Sequence, residues 1–266
     1  FALIPIIFKV PYIITPWGSD IIFGYRNFIK KNIIRFVLAN SKLITCDAIH
    51  ISKLILKICP KVKPHIINFG VDTSFFIHKN KNLDCDILKL ISTRNHEKIY
   101  NLETLLKCAK LLKDKNIKFQ LNIASLGSET NYLKNLSLKL GLKEDVKFTG
   151  RYNYKDLPNI INSNHIFIST SLSDAGIASS IAEAMSCQSI VVISDSGENK
   201  SWVTDGKNGF LFKTASSKSL LDSIFKALES KKNWKEIGAN ARETISRRND
   251  INNEMRKMYE LMLSKI

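Results

Sequence analysis

With 266 residues, of which 44% are hydrophobic and 24% charged, the chain has the composition of a globular protein that buries a core, and disorder is excluded. Forty Lys and Arg against twenty-four Asp and Glu give a net charge of +16, which favours anionic partners such as nucleic acid, phospholipid headgroups or phosphorylated ligands. The charge is mostly lysine spread along the chain, which equally reads as a solvated surface. There is no arginine-rich tail and no aromatic and basic RNA-binding motif, so nucleic acid is the minor option.

The chain opens on Phe1, not Met, in an apolar run that Pro5, Lys9 and Pro11 interrupt well short of the ~20 residues a membrane-crossing helix needs. The run has no basic leader or small-residue cleavage site, and the opening reads as the continuation of something longer. From here, strand-length apolar runs alternate with segments of helical period, the pattern of parallel sheets covered by helices on both faces. Residues 12–15 predict a strand ending at the turn Pro16-Trp17-Gly18-Ser19-Asp20. Helical period over 28–38 follows, then a strand at 43–45, a helix over 49–58 and a strand at 65–67 leading into Asn68-Phe69-Gly70-Val71-Asp72.

The lysine- and asparagine-rich stretch that follows carries no periodicity and reads as a linker. This divides the chain into a partial N-terminal Rossmann-like domain over 1–78, a linker over 79–86 and a C-terminal domain over 87–246. A terminal segment, 247–266, is expected to dock on the first domain. In the second domain, strands are predicted at 88–92, 119–124, 146–148, 166–169 and 190–193, and helices over 102–112, 129–140, 154–161, 177–186, 217–229 and 234–244. The last segment is amphipathic, with Met255, Met258, Tyr259 and Met262 on one stripe read as its docking face.

The five cysteines are odd in number, widely spaced and without a Cys-x-x-Cys pair, as in reduced core residues of a cytosolic protein. His50, His65, His78, His96 and His165 show no metal-ligand spacing. A Walker loop, a Gly-x-Gly-x-x-Gly fingerprint and a nucleophile elbow are all absent.

The densest chemical constellation is the run 169–185, Ser-Thr-Ser-Leu-Ser-Asp-Ala-Gly-Ile-Ala-Ser-Ser-Ile-Ala-Glu-Ala-Met, from the end of a strand through a small polar loop into a helix. Ligands of open parallel sheets bind at that end of the strands. Ala175, Gly176 and Ala178 leave the expected helix start uncluttered, so that its N–H groups and positive dipole end can meet a diphosphate. Glu183 lies further along, where a carboxylate can accept from sugar hydroxyls. An ordinary capped helix bearing a surface glutamate accounts for the same spacing.

The segment 146–212 carries, in order, Val-Lys-Phe-Thr-Gly, Asp156-Leu157-Pro158, Ser-Asp-Ala-Gly, Glu-Ala-Met, Val-Val-Ile-Ser-Asp-Ser-Gly and Asp-Gly-Lys-Asn-Gly-Phe-Leu-Phe. Upstream stand Gly18-Ser19-Asp20, Gly70-Val71-Asp72 with Phe76, and Arg94 ahead of Asn101-Leu102-Glu103. In this order the motifs resemble the family-4 retaining glycosyltransferases of the GT-B fold, over nearly the whole chain but without the opening part of the family's N-terminal domain. The resemblance implies an α/β protein of two Rossmann-like domains with parallel sheets, the first incomplete.

The resemblance also implies a metal-independent, retaining hexosyltransferase-type enzyme. It would move a sugar from a UDP- or GDP-linked donor to a hydroxyl of a glycan or lipid-linked acceptor, in cell-surface polysaccharide or lipopolysaccharide synthesis. It implies no cofactor, since the nucleotide-sugar is a substrate. The setting expected is the cytoplasm, with peripheral contact at the anionic inner face of the membrane, and the chain as given is expected to bind nucleotide without transferring sugar.

Of the family's two helix-flanking glutamates, Glu183 matches the one that holds the ribose. The other falls at Ala175, and Asp174 stands one place earlier. Arg94 fits the basic residue that meets the leaving diphosphate, and Lys98 is its partner although it comes one residue early. Gly176 and Ile177 supply amides to the phosphates, and Arg151 and Tyr152 occupy the loop that holds the base in relatives. Trp17 stands where the family often has His and can stack on a sugar ring but cannot exchange a proton, and Trp17, Gly18 and Asp20 line the acceptor side of the cleft. The alternative is a non-catalytic basic module that binds nucleotide or nucleic acid.

Overall fold

The computed structural model describes residues 6–17, 20, 21, 24, 27–79 and 86–265. Compact packing divides the chain into two units, Phe1–Gly70 with Asn249–Ile266, and Val71–Arg248.

In the first unit, β1 (Ile13–Ile14), β2 (Leu43–Cys46) and β3 (Pro64–Ile66) form a three-stranded parallel sheet in that order. Helices α1 (Phe28–Asn40) and α2 (Ile49–Ile58) make the crossovers. The spacing of Ile51, Ile55 and Ile58 lays one apolar stripe of α2 on β2, around Ile44 and Cys46. By contrast α1 buries Val37 and Leu38 and leaves Phe28, Ile29, Ile33 and Phe36 exposed.

The final helix, α10 (Ile251–Leu263), belongs to this unit, and of the expected stripe only Met258 and Met262 are half-buried. Met255 and Tyr259 are exposed, and the inward face is carried by Ile251, Glu254, Met258 and Leu261. Glu254 is 1% exposed and accepts a 2.8 Å hydrogen bond from the Asn68 amide, with Lys257 Nζ as a second donor. Gly70, at φ +78°, lies so close to Ile251 that a Cβ would stand 2.4 Å from its Cα.

The second unit is a six-stranded parallel sheet with strand order β6-β5-β4-β7-β8-β9. The strands are β4 (Leu88–Ser92), β5 (Phe119–Ala124), β6 (Val146–Gly150), β7 (Ile166–Ser169), β8 (Ile190–Ser194) and β9 (Phe210–Phe212). The helices are α3 (Leu102–Asp114), α4 (Thr130–Lys139), α5 (Leu157–Asn162), α6 (Ser179–Ser186), α7 (Asn199–Trp202), α8 (Ser217–Glu229) and α9 (Trp234–Arg248). Strands β7 and β8 are buried at every position, which is why they read as unbroken Ile, Val and Phe runs. One core gathers Leu105, Leu121, Ile168 and Ile224 on one face of the sheet, and another gathers Ile91, Phe167, Met185 and Ile245.

The second unit begins earlier than the linker composition suggests. Asp72 closes a turn by accepting from the amides of Ser74 and Phe75, and Phe76 is fully buried in the second core. Arg242 then holds the carbonyls of Thr73, Phe76 and Ser186 at 2.6–2.8 Å. Residues 71–78, assigned by sequence to the first domain, are fastened to the second by that guanidinium and by bonds from Ser186 to the Phe76 carbonyl and from Asn162 to that of Ile77. Four described cysteines, Cys46, Cys59, Cys108 and Cys187, are buried thiols, and burial pushes that of Cys108 up to about 12. Cys85 lies outside the described residues.

Candidate active site

From β4 the chain steps through β5 to β6 on one side, whereas β7, β8 and β9 continue on the other. The loops leaving β4 and β7 therefore lie at the carboxyl ends of two adjacent strands where the strand order reverses, the place at which doubly wound sheets bind ligands. Arg94 follows β4, and Asp174 follows β7. Two hydrogen bonds clamp these loops together: Thr170 Oγ1 donates to the Tyr100 carbonyl and the Leu172 amide to that of Ile99, both at 2.8 Å.

Arg94 Nη2 meets Asp174 Oδ1 at 2.8 Å, with the two side chains 9% and 5% exposed. Nη1 donates to Ser180 Oγ at 3.1 Å, and the guanidinium carbon lies 4.0 Å from the centre of the Tyr100 ring. Asp174 Oδ2 faces Nδ2 of Asn199, the first residue of α7, at 3.4 Å. At this end of the sheet Arg94 Nε, Ser92 Oγ and Asn199 Oδ1 are buried without a partner among the described residues. Each such group costs about 1–3 kcal/mol unless something else satisfies it, the pattern of a site built for a polar ligand.

Glu183 sits in α6, buried, and burial pushes its carboxyl up to about 7, against the opposing pull of Arg94. It is not the surface glutamate that spacing alone allowed. Tyr152 faces it: burial, the nearby Glu183 carboxyl and a weaker opposing contact with Thr93 leave the phenol above its ordinary range. Tyr154 is raised by burial and by the same carboxyl, and its ring stacks on Phe75 at 5.3 Å. The structure thus brings Arg94, Asp174, Glu183 and Tyr152 together. It adds Tyr100, Ser180, Asn199 and Tyr154, which sequence reasoning missed. The signal for Asn199 was its place just after Ser-Asp-Ser-Gly, following a buried strand.

The expected helix start is corrected. Helix α6 opens at Ser179, with Ala178 as its extended, side-chain-free cap, so Gly176 and Ile177 belong to the preceding loop and not to the helix start. Isolated small residues could not report where the turn straightens. Lys98 opens a short 3-10 turn, Lys98–Tyr100. It lines a separate cavity of about 560 Å³ with Glu97, Asn101, Glu103, Glu129 and Tyr132, a lining that does not include Arg94 or the loop after β7. Arg151 is exposed beyond Gly150.

Within the first unit, the Trp17 ring is 67% exposed and packs 4.7 Å from Phe69. Asp20 accepts from the amides of Ile21, at 3.0 Å, and Trp17, at 3.4 Å. Gly18 lies outside the described residues.

The profile of the glycosyl transferases group 1 family matches residues 74–244, spanning every second-unit residue of this site. The chain belongs to the glycosyl transferases group 1 family. A family relative described as an uncharacterized glycosyltransferase, MJ1069 of Methanocaldococcus jannaschii, is 29% identical over 167 residues, 63% of this chain and 41% of its own length. The chain thus spans about two fifths of that relative. Among solved structures it resembles Anabaena Alr3699/HepE in complex with UDP and glucose, with a TM-score of 0.83 and 18% identity, over 100% of this chain and 74% of that one. It also resembles the sucrose-phosphate synthase of Thermosynechococcus elongatus, with a TM-score of 0.82 and 17% identity, over 97% and 69% of the two chains. These likenesses establish the GT-B glycosyltransferase fold of Rossmann-like domains for this group 1 chain.

Proposed function

We propose that the chain binds a UDP- or GDP-linked sugar and belongs to a retaining glycosyltransferase that passes the sugar to a hydroxyl of a glycan or lipid-linked acceptor. The observation that carries this reading is the fixed Arg94 guanidinium at the crossover of the second sheet, beside the uncapped start of α6. Both are sources of positive potential where a leaving diphosphate gains charge, and stabilising developing charge is commonly the largest catalytic contribution. The presence of UDP in the Anabaena structure supports the donor class.

In this reading the bond from the anomeric carbon to the diphosphate oxygen breaks as the acceptor oxygen bonds to the same face. The acceptor proton passes to the departing phosphate oxygen. No side chain forms a bond to the sugar, and Glu183 holds the ribose. Diphosphate charge is met by Arg94 and the amides around Gly176 to Ser179, without a divalent ion. Trp17 and Asp20 serve the acceptor side, and Arg151 and Tyr152 the base.

We further assign the reaction to polysaccharide or lipopolysaccharide synthesis in the cytoplasm, at an anionic membrane surface that a +16 chain would favour. Among the described residues no helix is long and apolar enough to cross a membrane. Titration with UDP, GDP and a short DNA duplex tests the reading. Saturable nucleoside-diphosphate binding that persists at moderate salt is expected, whereas binding of the duplex alone would favour a basic nucleic-acid module and overturn it.

A further inference from the structure

The Arg94 guanidinium is engaged by groups of the protein itself. Asp174 holds Nη2 at 2.8 Å, Ser180 holds Nη1 at 3.1 Å, and Tyr100 covers one face. A diphosphate approaching this cation meets a carboxylate already seated on it, and two anions sharing one buried guanidinium repel each other. Yet the carboxylate is built into the site with care. Its second oxygen faces Asn199 Nδ2 at 3.4 Å, and its own carbonyl oxygen presses on Gly197, where a Cβ would stand only 1.8 Å away. Two loops, after β7 and β8, thus place Asp174 against the residue that follows β4.

We propose that Asp174 is a positioning residue that holds Arg94 while the site is empty and yields it when the diphosphate of a donor enters, so that the guanidinium exchanges a carboxylate for a phosphate. The proposal rests on the donor-binding reading above. It follows from the burial of the pair: an unpaired guanidinium is costly there, so the cation must be neutralised in both states. Asn199 Nδ2, facing the carboxylate oxygen that Arg94 does not use, is the donor toward which the released group turns. A diphosphate that takes Nη2 therefore breaks a buried ion pair, which holds down affinity for nucleoside diphosphates and eases their release.

The test is isothermal titration of the wild-type chain and of Asp174→Asn with UDP and GDP separately, with circular dichroism as a check on folding. Asparagine leaves Arg94 without its resident anion, so the variant should bind whichever nucleotide the wild type binds about tenfold more tightly. Damage of a merely structural kind moves affinity the other way. Equal or weaker binding by the folded variant overturns the exchange. Where wild type binds neither nucleotide, the donor-binding reading itself falls, a distinguishable outcome. Asp174→Glu keeps the charge and reaches one methylene further over the guanidinium. It should bind no better than wild type, whether or not the asparagine variant folds, and a gain in affinity here also overturns the proposal.

Discussion

A Cβ on Gly197 would stand 1.8 Å from the carbonyl oxygen of Asp174, closer than any non-bonded pair tolerates. Gly197 also has φ +54°, in the left-handed region, so a side chain there is penalised twice. Gly197→Ala should cost about 1–3 kcal/mol from backbone strain alone, and more as the loop after β7 is pushed aside. Urea denaturation of the variant checks this, and an unchanged midpoint would refute the close approach.

Glu183 predicts a pH dependence of stability. Its folded carboxyl lies at about 7, above the ordinary 4.5, because burial disfavours the charge. The folded state therefore retains a proton that the unfolded chain has lost. The contribution is complete below about pH 4.5 and fades as pH rises through about 7. Relative to Glu183→Gln, wild type should lose on the order of 2–3 kcal/mol across that window, since a pKa difference of one is worth about 1.4 kcal/mol. Parallel denaturation of the two proteins near pH 5 and near pH 8 measures it, and parallel curves would return Glu183 to an unperturbed surface carboxylate.

Nucleotide binding should persist in EDTA. In the proposed mechanism Arg94 and the amides leading into α6 meet the diphosphate charge, and no group of three or more His, Cys, Asp or Glu suited to a metal ion occurs among the described residues. The check is a UDP and GDP titration with and without chelator. Loss of affinity on chelation would require a divalent ion that this account does not contain.

Replacing Glu254 with Ala should destabilise the first unit by about 1.5–3 kcal/mol, the range for a hydrogen bond to a charged group. Glu254 is 1% exposed and accepts from the Asn68 amide at 2.8 Å, so truncation removes a buried acceptor that no neighbour on α10 can replace. Hydrogen exchange reads the effect locally: faster exchange at Asn68 is expected, and unaltered protection there would contradict it.

Sequence pattern served the sheet well and the site less well, for one physical reason. Ile166–Ser169, buried at every position, writes itself as a near-continuous apolar run, Phe119–Ala124 alternates and Leu88–Ser92 is interrupted only by Lys89, and all three coincide with the predicted spans. Phe210–Phe212 was read as motif and not as strand, because three residues after a glycine carry too little pattern. On the final helix, Ile251, Glu254 and Met258 share a face that hydropathy splits, since a buried glutamate looks like a surface one until its partner Asn68 is known. The Arg94–Asp174 pair is the extreme case. Each residue was a candidate alone, but their contact spans eighty positions and depends on which strands lie side by side. Lys98 shows a related limit: it opens a 3-10 turn and lines another cavity, and nearness in sequence to Arg94 does not tell which way its side chain points.

The paired bonds from Thr170 and Leu172 to the Tyr100 and Ile99 carbonyls bear on how this domain can diversify. Loops beside a binding crevice are usually where a fold accepts new length, and new specificity with it. Here two of those loops are stitched together, main chain to main chain and hydroxyl to main chain, so an insertion in either would unfasten the other. Added length is better tolerated around Gly141, a left-handed glycine with open space about it, between α4 and β6. Homologous chains with altered donor preference should accordingly differ by side-chain exchange within 94–100 and 170–178 and keep the lengths of both segments fixed.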